Sequence, residues 1–300
     1  MVVFLGLPVT IFLIFVISPF AQAFYYSLTD WSGFTDTMNF IGGQNYLKLL
    51  DDDVFKKAVR NNVLLALVVP LVTIVLALTL ASLVTVAGSS VGQVSGLKRS
   101  SFYRVVSFFP YAIPAIVIGL IWAQVFAPTS GLLDALLAAV GLDQFANYAW
   151  LGDARTAMPA SMFVMVWGFT GFYMVLFIAA IRGIEPEIYE AARIDGAGRF
   201  RTAVRITIPL IRDNVQTAYV YLGIAALDGF VYMQALNPGG GPQNSTLVIP
   251  QQLFTTAFTK GQFGYSTAMG VVLAAVTLLF SAIVFTVNRL TGGSTKESGR

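Results

Sequence analysis

An all-helical membrane protein, with six spanning helices and one structured loop between the fourth and fifth, follows from three features of this sequence. Hydrophobic residues are 56% of the chain and charged residues 11%, whereas soluble domains carry about a quarter charged residues. Apolar stretches long enough to cross a bilayer, at about 20 residues each, recur along the 300 positions. Cysteine and histidine are both absent, which removes disulfides, thiolate chemistry, Ser-His-Asp triads and the usual zinc sets. A mean hydropathy of +0.74 agrees. The chain reads as one domain over 1–300, with no metal site and no catalytic group of its own.

The spans are expected at Phe4 to Tyr26, Val63 to Ala87, Tyr103 to Ala127, Met158 to Ile181, Val215 to Leu236 and Tyr265 to Asn288. In the first, Ala21-Gln22-Ala23 has the form of a signal-peptide cleavage site. The positive flank is missing, however, and the apolar run is too long, so it is read as a retained span. Met1 stands almost inside that run, where a truncated or misassigned start would put it. Between the first two spans, Asn45 to Val59 reads as short interfacial helices broken at Asp51-Asp52-Asp53. Pro70, Pro110 and Pro114 are expected to kink their spans. Leu132 to Val140 reads as a short helix ended by Gly141, and Pro238-Gly239-Gly240-Gly241-Pro242 as an irregular turn.

Charge sets the expected orientation. With the amino terminus cytoplasmic, the inner segments hold 12 of the 18 basic residues (Lys98, Arg99, Arg104, Arg182, Arg193, Arg199, Arg201, Arg205, Arg212, Arg289, Lys296 and Arg300). The outer ones hold 6: Lys48, Lys56, Lys57, Arg60, Arg155 and Lys260. Positive-inside bias then places both termini in the cytoplasm. A net charge of +3 on an apolar chain is not the basic soluble surface that nucleic-acid binding needs.

The loop over 184–213 reads as two helices joined by a tight turn. Pro186 suits a first helical turn, with Glu185, Glu187 and Glu190 near its positive end, and Asp195-Gly196-Ala197-Gly198 interrupts the run. The second run, Arg199 to Ile208, is expected to stop at Pro209. Ala191 and Ala192 would let another protein approach the backbone, Phe200, Ala203, Val204, Ile206 and Ile208 would offer apolar contact, and Arg199, Arg201 and Arg205 would face water. The order Glu190-Ala191-Ala192-Arg193-Ile194-Asp195-Gly196-Ala197, then Ile206, Pro209 and Leu210, resembles the EAA loop in permease subunits of binding-protein-dependent ABC importers. Ser27-Leu28-Thr29-Asp30-Trp31, Phe108-Phe109-Pro110-Tyr111 with Ile113-Pro114, Gly119-Leu120-Ile121-Trp122 and Gly239-Gly240-Gly241-Pro242 extend the resemblance toward the carbohydrate branch, near the larger permease of maltose or glycerol-phosphate systems. Ala203 stands where that family usually has an aromatic, and Asp213 where it often has a second proline.

The resemblance implies a transport subunit of a prokaryotic cytoplasmic membrane, with Glu190, Ala191, Ala192, Asp195, Gly196, Ala197, Gly198 and Pro209 docking on an ATPase. It also implies a second homologous permease, an ATPase dimer that binds ATP and magnesium, and an extracytoplasmic sugar-binding protein, all within membrane lipid. No G-x-x-x-x-G-K-[ST] loop occurs here, so no nucleotide or other cofactor is assigned to this chain. For the substrate path the residues themselves suggest Asp228, since an acid at mid-membrane costs about 2.5 to 3.5 kcal/mol and needs a role or a partner. Tyr232, four residues on, would share its face. Gln234, Tyr221, Trp167, Tyr173 and Gln124 are further polar or aromatic candidates for a sugar path, against a reading as interface-belt or core residues. The cargo is read as a sugar or oligosaccharide. A polyol, a glycerol-phosphate ester, or a self-sufficient transporter using Asp228 as an ion site are the alternatives. Gly88-Ser89-Ser90-Val91-Gly92 fits a nucleophile elbow in letters only and reads as a flexible loop; Asn244-Ser245-Thr246 is a chance glycosylation match.

Overall fold

The computed structural model describes residues 2–85 and 100–291. The loop expected at Gly88–Gly92, the end of the second span after Thr85, and Lys98, Arg99, Lys296 and Arg300 lie outside them. The first rod, α1, is built from Val2–Phe12, a π turn over Leu13–Ile17, and Ser18–Ser27. There follow α2 (Gln44–Asp51), α3 (Asp53–Thr85), α4 (Ser100–Ala112), α5 (Ala115–Val125), α6 (Leu132–Ala139) and α7 (Ala157–Arg182). The loop after α7 contains α8 (Pro186–Ile194) and α9, whose pieces are Arg199–Thr202, a π turn Ala203–Thr207, and Ile208–Leu210. Then come α10 (Arg212–Asp228), α11 (Phe230–Leu236), α12 (Ile249–Phe254, extended by a π turn Thr255–Thr259) and α13 (Phe263–Thr291).

Among the described residues four helices are long and apolar enough to cross a membrane, in α1, α3, α7 and α13. Two bent pairs bring the number to six if each crosses once: α4 with α5 at 97°, and α10 with α11 at 48°. The third and fifth spans are therefore broken, not continuous as read from hydropathy. The first break falls at Ile113-Pro114, where Pro114 takes an extended ψ of 135° and starts α5 anew. The second falls at Gly229, whose φ of +31° is a left-handed conformation. Pro70 sits inside α3 without interrupting it.

The region before α3 also differs from expectation. Only α2 is a separate short helix, because Asp52 turns extended and its carboxylate accepts the Val54 and Phe55 N–H groups at 2.9 and 3.0 Å. This N-cap starts α3 ten residues before the apolar run begins. The short helix before Gly141 and the irregular glycine turn are found as expected, with Gly239, Gly240 and Gly241 all at positive φ.

Helix α7 is the axis of the packing. Its amino-terminal half joins Leu65, Val69, Ile118 and Met233 in one cluster, while its carboxy-terminal half joins Ala77, Ala81, Ala218 and Leu222 in a second. Gly171 lets α4 close onto α7, since any Cβ there would collide with the Ser107 carbonyl. A third cluster, from Leu49, Phe55, Ile249, Tyr265 and Met269, caps the end away from the 184–213 loop. Few residues of the apolar stretch of α13 and almost none of that of α1 are buried by the rest of this chain, although Ser18–Ser27 packs along α13.

Breaks in spans free backbone groups that lipid cannot hydrate. At the Gly229 break and at two further chain ends, asparagines supply the partners. Asn62, fully buried on α3, donates to the Leu227 carbonyl at 2.6 Å, and its amide oxygen accepts the Ile249 N–H at 2.7 Å. Asn61 donates to Leu247 O at 2.8 Å, and Asn45 donates to Ser27 O and Thr29 O, both at 2.8 Å, closing the end of α1. Replacing Asn62 with leucine keeps the volume and orphans two buried groups, at about 1–3 kcal/mol each. The unfolding midpoint in detergent should fall clearly for Asn62→Leu and stay put for Thr79→Val, whose hydroxyl bonds only its own helix. Equal midpoints would remove the clamp.

Candidate functional site

The loop over 184–213 folds into a rigid elbow. Glu185 ends the strand-like entry with ψ 129°, Pro186 opens α8, and Arg193 lies in its last turn, each suited to its end of the helix dipole. The helix closes in a Schellman arrangement: Ala197 N–H bonds Ala192 O at 2.9 Å and Gly196 N–H bonds Arg193 O at 3.0 Å. Gly196 has φ +71°, so glycine is required by conformation although space around it is open. Gly198 then caps α9, its carbonyl accepting the Thr202 N–H at 2.9 Å.

A buried hydroxyl pair joins the two arms, Tyr189 Oη to Thr207 Oγ1 at 3.1 Å. Burial pushes the Tyr189 phenol up from its ordinary pKa, so it stays protonated as the partner of Thr207. Ile184, Ile208 and Ile211 root the elbow in the core below. Two expectations need correction. Ala192 is buried and presents no surface; only Ala191 is exposed. Pro209 does not stop the second arm, because the π turn before it carries the Ile208 N–H to Ala203 O, five residues back. That opened turn leaves room for the proline ring and absorbs its missing donor, and the helix ends two residues later at Ile211. The same device precedes Pro19, where Ser18 N–H reaches Leu13 O.

At the tip, Ile194 is 87% and Phe200 82% exposed. Glu190, Ala191, Asp195, Gly196 and Gly198 are exposed beside them, with Ala197 half-buried, and Arg199, Arg201 and Arg205 face outward as expected. Of the apolar residues expected on this surface, Val204 is exposed, whereas Ala203, Ile206 and Ile208 are half-buried. Nothing in the sequence alone marks Ile194 as a contact, since it sits between the acids and the glycine of the motif.

The second feature is an open groove of about 570 Å³ between α4, α7 and α10, in the elbow-side half. Tyr111, Tyr173, Tyr221, Asn214, Thr217 and Asp213 line it, and Tyr111 stacks on Phe172 with centroids 4.5 Å apart. Flat rings beside hydroxyls and an amide suit a sugar, whose ring faces are apolar and whose rim is polar.

Of the seven path candidates, Tyr173 and Tyr221 meet in this groove. The other five lie elsewhere. Asp228 is exposed at the end of α10, and the bend at Gly229 separates it from Tyr232, which is buried against Phe169 with its hydroxyl toward Gly168. The two do not share a face. Gln234 accepts a bond from Gln251 at 3.1 Å, in a network with Asn237 and Ser161. Trp167 packs edge-on to Trp122 at 5.4 Å in a separate apolar depression, and Gln124 is exposed in the last turn of α5. Asn214 and Thr217 were missed because they fall at the margin of an apolar run, where polar residues are unremarkable. Spacing Asn214, Thr217 and Tyr221 at helical intervals was the available signal.

The family profile described as "binding-protein-dependent transport system inner membrane component" matches residues 84–292. The chain is 62% identical over 297 residues to the diacetylchitobiose uptake system permease protein of Streptomyces coelicolor, covering 99% of this chain and 84% of that one. It is 37% identical over 274 residues to a probable ABC transporter permease of Bacillus subtilis, covering 91% of each. A crystal structure of a bacterial ABC transporter involved in import of the acidic polysaccharide alginate superposes with TM-score 0.79 at 22% identity, over 95% of this chain and 93% of that one. A second, of such a transporter with an alginate pentasaccharide-bound periplasmic protein, gives 0.77 at 23%, over 96% and 93%.

Gly196→Val forces a branched residue into a left-handed backbone at about 1–2 kcal/mol, and Tyr189→Phe removes one buried bond at about 0.5–1.5 kcal/mol. Amide exchange in 186–210 should quicken in both while exchange in α7 holds; unchanged elbow protection in both would mean the arms are not joined this way.

Proposed function

The chain belongs to the family of inner-membrane components of binding-protein-dependent transport systems, and from that premise we propose that it is the permease subunit of an ATP-driven importer of a short oligosaccharide. The observation that carries the cargo is the 62% identity, over almost the whole chain, to a permease named for diacetylchitobiose uptake. The groove agrees with it. Tyr111 and Tyr221 offer faces to pyranose rings, and Asn214 and Thr217 offer the donor and acceptor that an acetamido group or hydroxyl takes. We assign the groove as one wall of the sugar path, the facing wall belonging to a second permease. Asp228, exposed at the end of the same helix, is assigned to that subunit boundary.

The elbow is the coupling element. Its tip joins exposed Ile194 and Phe200 to flanking charges, a composition that fits a groove in a soluble ATPase. Such a partner binds ATP and magnesium and hydrolyses the nucleotide, and this chain only transmits the movement. A nucleotide shifts the permease between states only through differential affinity, so closure of the ATPases must displace the elbow as a body. The orientation that serves this has the elbow and both termini in the cytoplasm, and the glycine turn outside, where a sugar-loaded binding protein arrives.

Affinity purification of the tagged chain from mild detergent, with mass spectrometry, tests the assembly: a second six-span permease and a P-loop ATPase should come with it. The chain alone, transporting in liposomes without ATP, would overturn the reading. In the complex, Glu190→Lys should abolish uptake of N,N'-diacetylchitobiose with insertion intact. Tyr221→Ala should lower uptake at least about tenfold, as loss of one stacking and hydrogen-bonding ring implies, while leaving ATPase co-purification unchanged. Wild-type uptake in either variant would sink its assignment.

A further inference from the structure

The groove between α4, α7 and α10 carries one charge, and its sign is negative. Asp213 lines it from the first turn of α10, while no lysine or arginine is among the described residues that do so. Arg212, next in the chain, lines the concavity on the other side of that helix, against α3 and α13, and Arg104 of α4 lines neither. The Asp213 carboxylate is also unengaged. It is exposed, it forms no hydrogen bond or ion pair with any described residue, and α10 opens at Ile211 without a side-chain cap. The helix dipole favours an acid in a first turn whichever way it points, so the surroundings of the carboxylate decide what it does.

Those surroundings are aromatic. Thr217 and Tyr221 follow Asp213 at four-residue steps and share its face of α10 over about 12 Å. Tyr111 and Tyr173 enter from α4 and α7, and Phe172 backs the Tyr111 ring at 4.5 Å. The face of a phenol ring is the negative pole of its quadrupole, so it draws a cation as well as the flat face of a sugar. One carboxylate among three phenol rings, with no basic side chain beside them, favours a protonated amine, accepts a neutral ring and repels an acid. Asn214 and Thr217 have no such preference, since each both donates and accepts.

We propose that Asp213 selects the charge of the cargo, so that the groove takes an amino sugar with a free, protonated amine in preference to its N-acetylated form and turns away sugar acids. The simplest such cargo is chitobiose that has lost one of its two acetyl groups. Its ammonium donates a charge-assisted hydrogen bond to Asp213, where an acetamido N–H donates a weaker one, and a sugar carboxylate or phosphate brings like charges together. The inference rests on the groove being part of the sugar path. It concerns what the groove admits, not what a binding protein delivers.

The chain has no cysteine, which supplies the test. In the full assembly in lipid nanodiscs, Thr217→Cys is labelled with thiosulfonate reagents of similar size bearing either an ammonium or a sulfonate, and the label is read on this chain by mass spectrometry. Adding Asp213→Asn should lower the ratio of cationic to anionic labelling rates about fivefold, the effect of one charge a helical turn away, and Asp213→Glu in its place should keep the ratio high. At mildly acid pH, where the sugar amine is protonated, the mono-N-deacetylated disaccharide should protect the cysteine at about one-fifth the concentration needed with N,N'-diacetylchitobiose, because charged hydrogen bonds are about twice as strong as neutral ones. Asp213→Asn should bring the two sugars together, whereas a disturbed helix start would move both reagents and both sugars alike. A reagent ratio unmoved by Asp213→Asn would overturn the selector. Equal protection by both sugars with Asp213 in place would also overturn it and leave the path standing, while protection by neither would remove the path and the selector with it.

Discussion

The unhydrated backbone at two broken spans is the constraint on which the architecture depends. A membrane helix normally satisfies itself, but α4–α5 and α10–α11 each interrupt their ladder where lipid can supply no hydrogen bond. Asn62 answers the second break with one side chain, binding the Leu227 carbonyl on one side and the Ile249 N–H on the other. This ties together three elements far apart in sequence, and the glycine turn hangs from the same anchor through Asn61. Because each bond replaces none to lipid, the amide is worth more here than on a wetted surface. The break is thereby held at one angle, and α11 is free to turn Tyr232 and Met233 into the core.

Hydropathy made the helical class and the approximate spans legible, since 20 apolar residues in a row have few other uses. The elbow was legible too, because Pro186, Gly196 and Gly198 act through local backbone rules that need no tertiary partner. What escaped depended on distant contacts. Asn61 and Asn62 precede the apolar run and read as loop, yet Asp52 caps the helix ahead of them and carries them inside. Pro209 read as a stop because the π turn that accommodates it has no signature in a sequence. Asp228 and Tyr232 were placed on one face by helical spacing, and the spacing rule fails wherever a glycine bends the axis between two residues. Of the path residues, the two that do converge, Tyr173 and Tyr221, belong to helices that run unbroken through the site.

The elbow and the groove between α4, α7 and α10 share a mechanical element. The second arm ends at Leu210 and α10 begins at Arg212, with only Ile211 between, and Ile211 is buried in the core next to the elbow. Asp213, Asn214 and Thr217 thus stand within two turns of the second arm. A displacement at Ile194 would pass through the Tyr189–Thr207 pair into α9, one at Phe200 would start there, and either would cross one packed residue into the groove wall. Close-packed interiors transmit such shifts because they resist compression. The Gly229 bend lies at the far end of the same helix, so α10 can tilt as a lever between the elbow and a fixed point clamped by Asn62. A tilt about that point would move the wall's elbow end most and its Asp228 end least. Such a tilt would open the groove toward the elbow while the opposite end stayed closed.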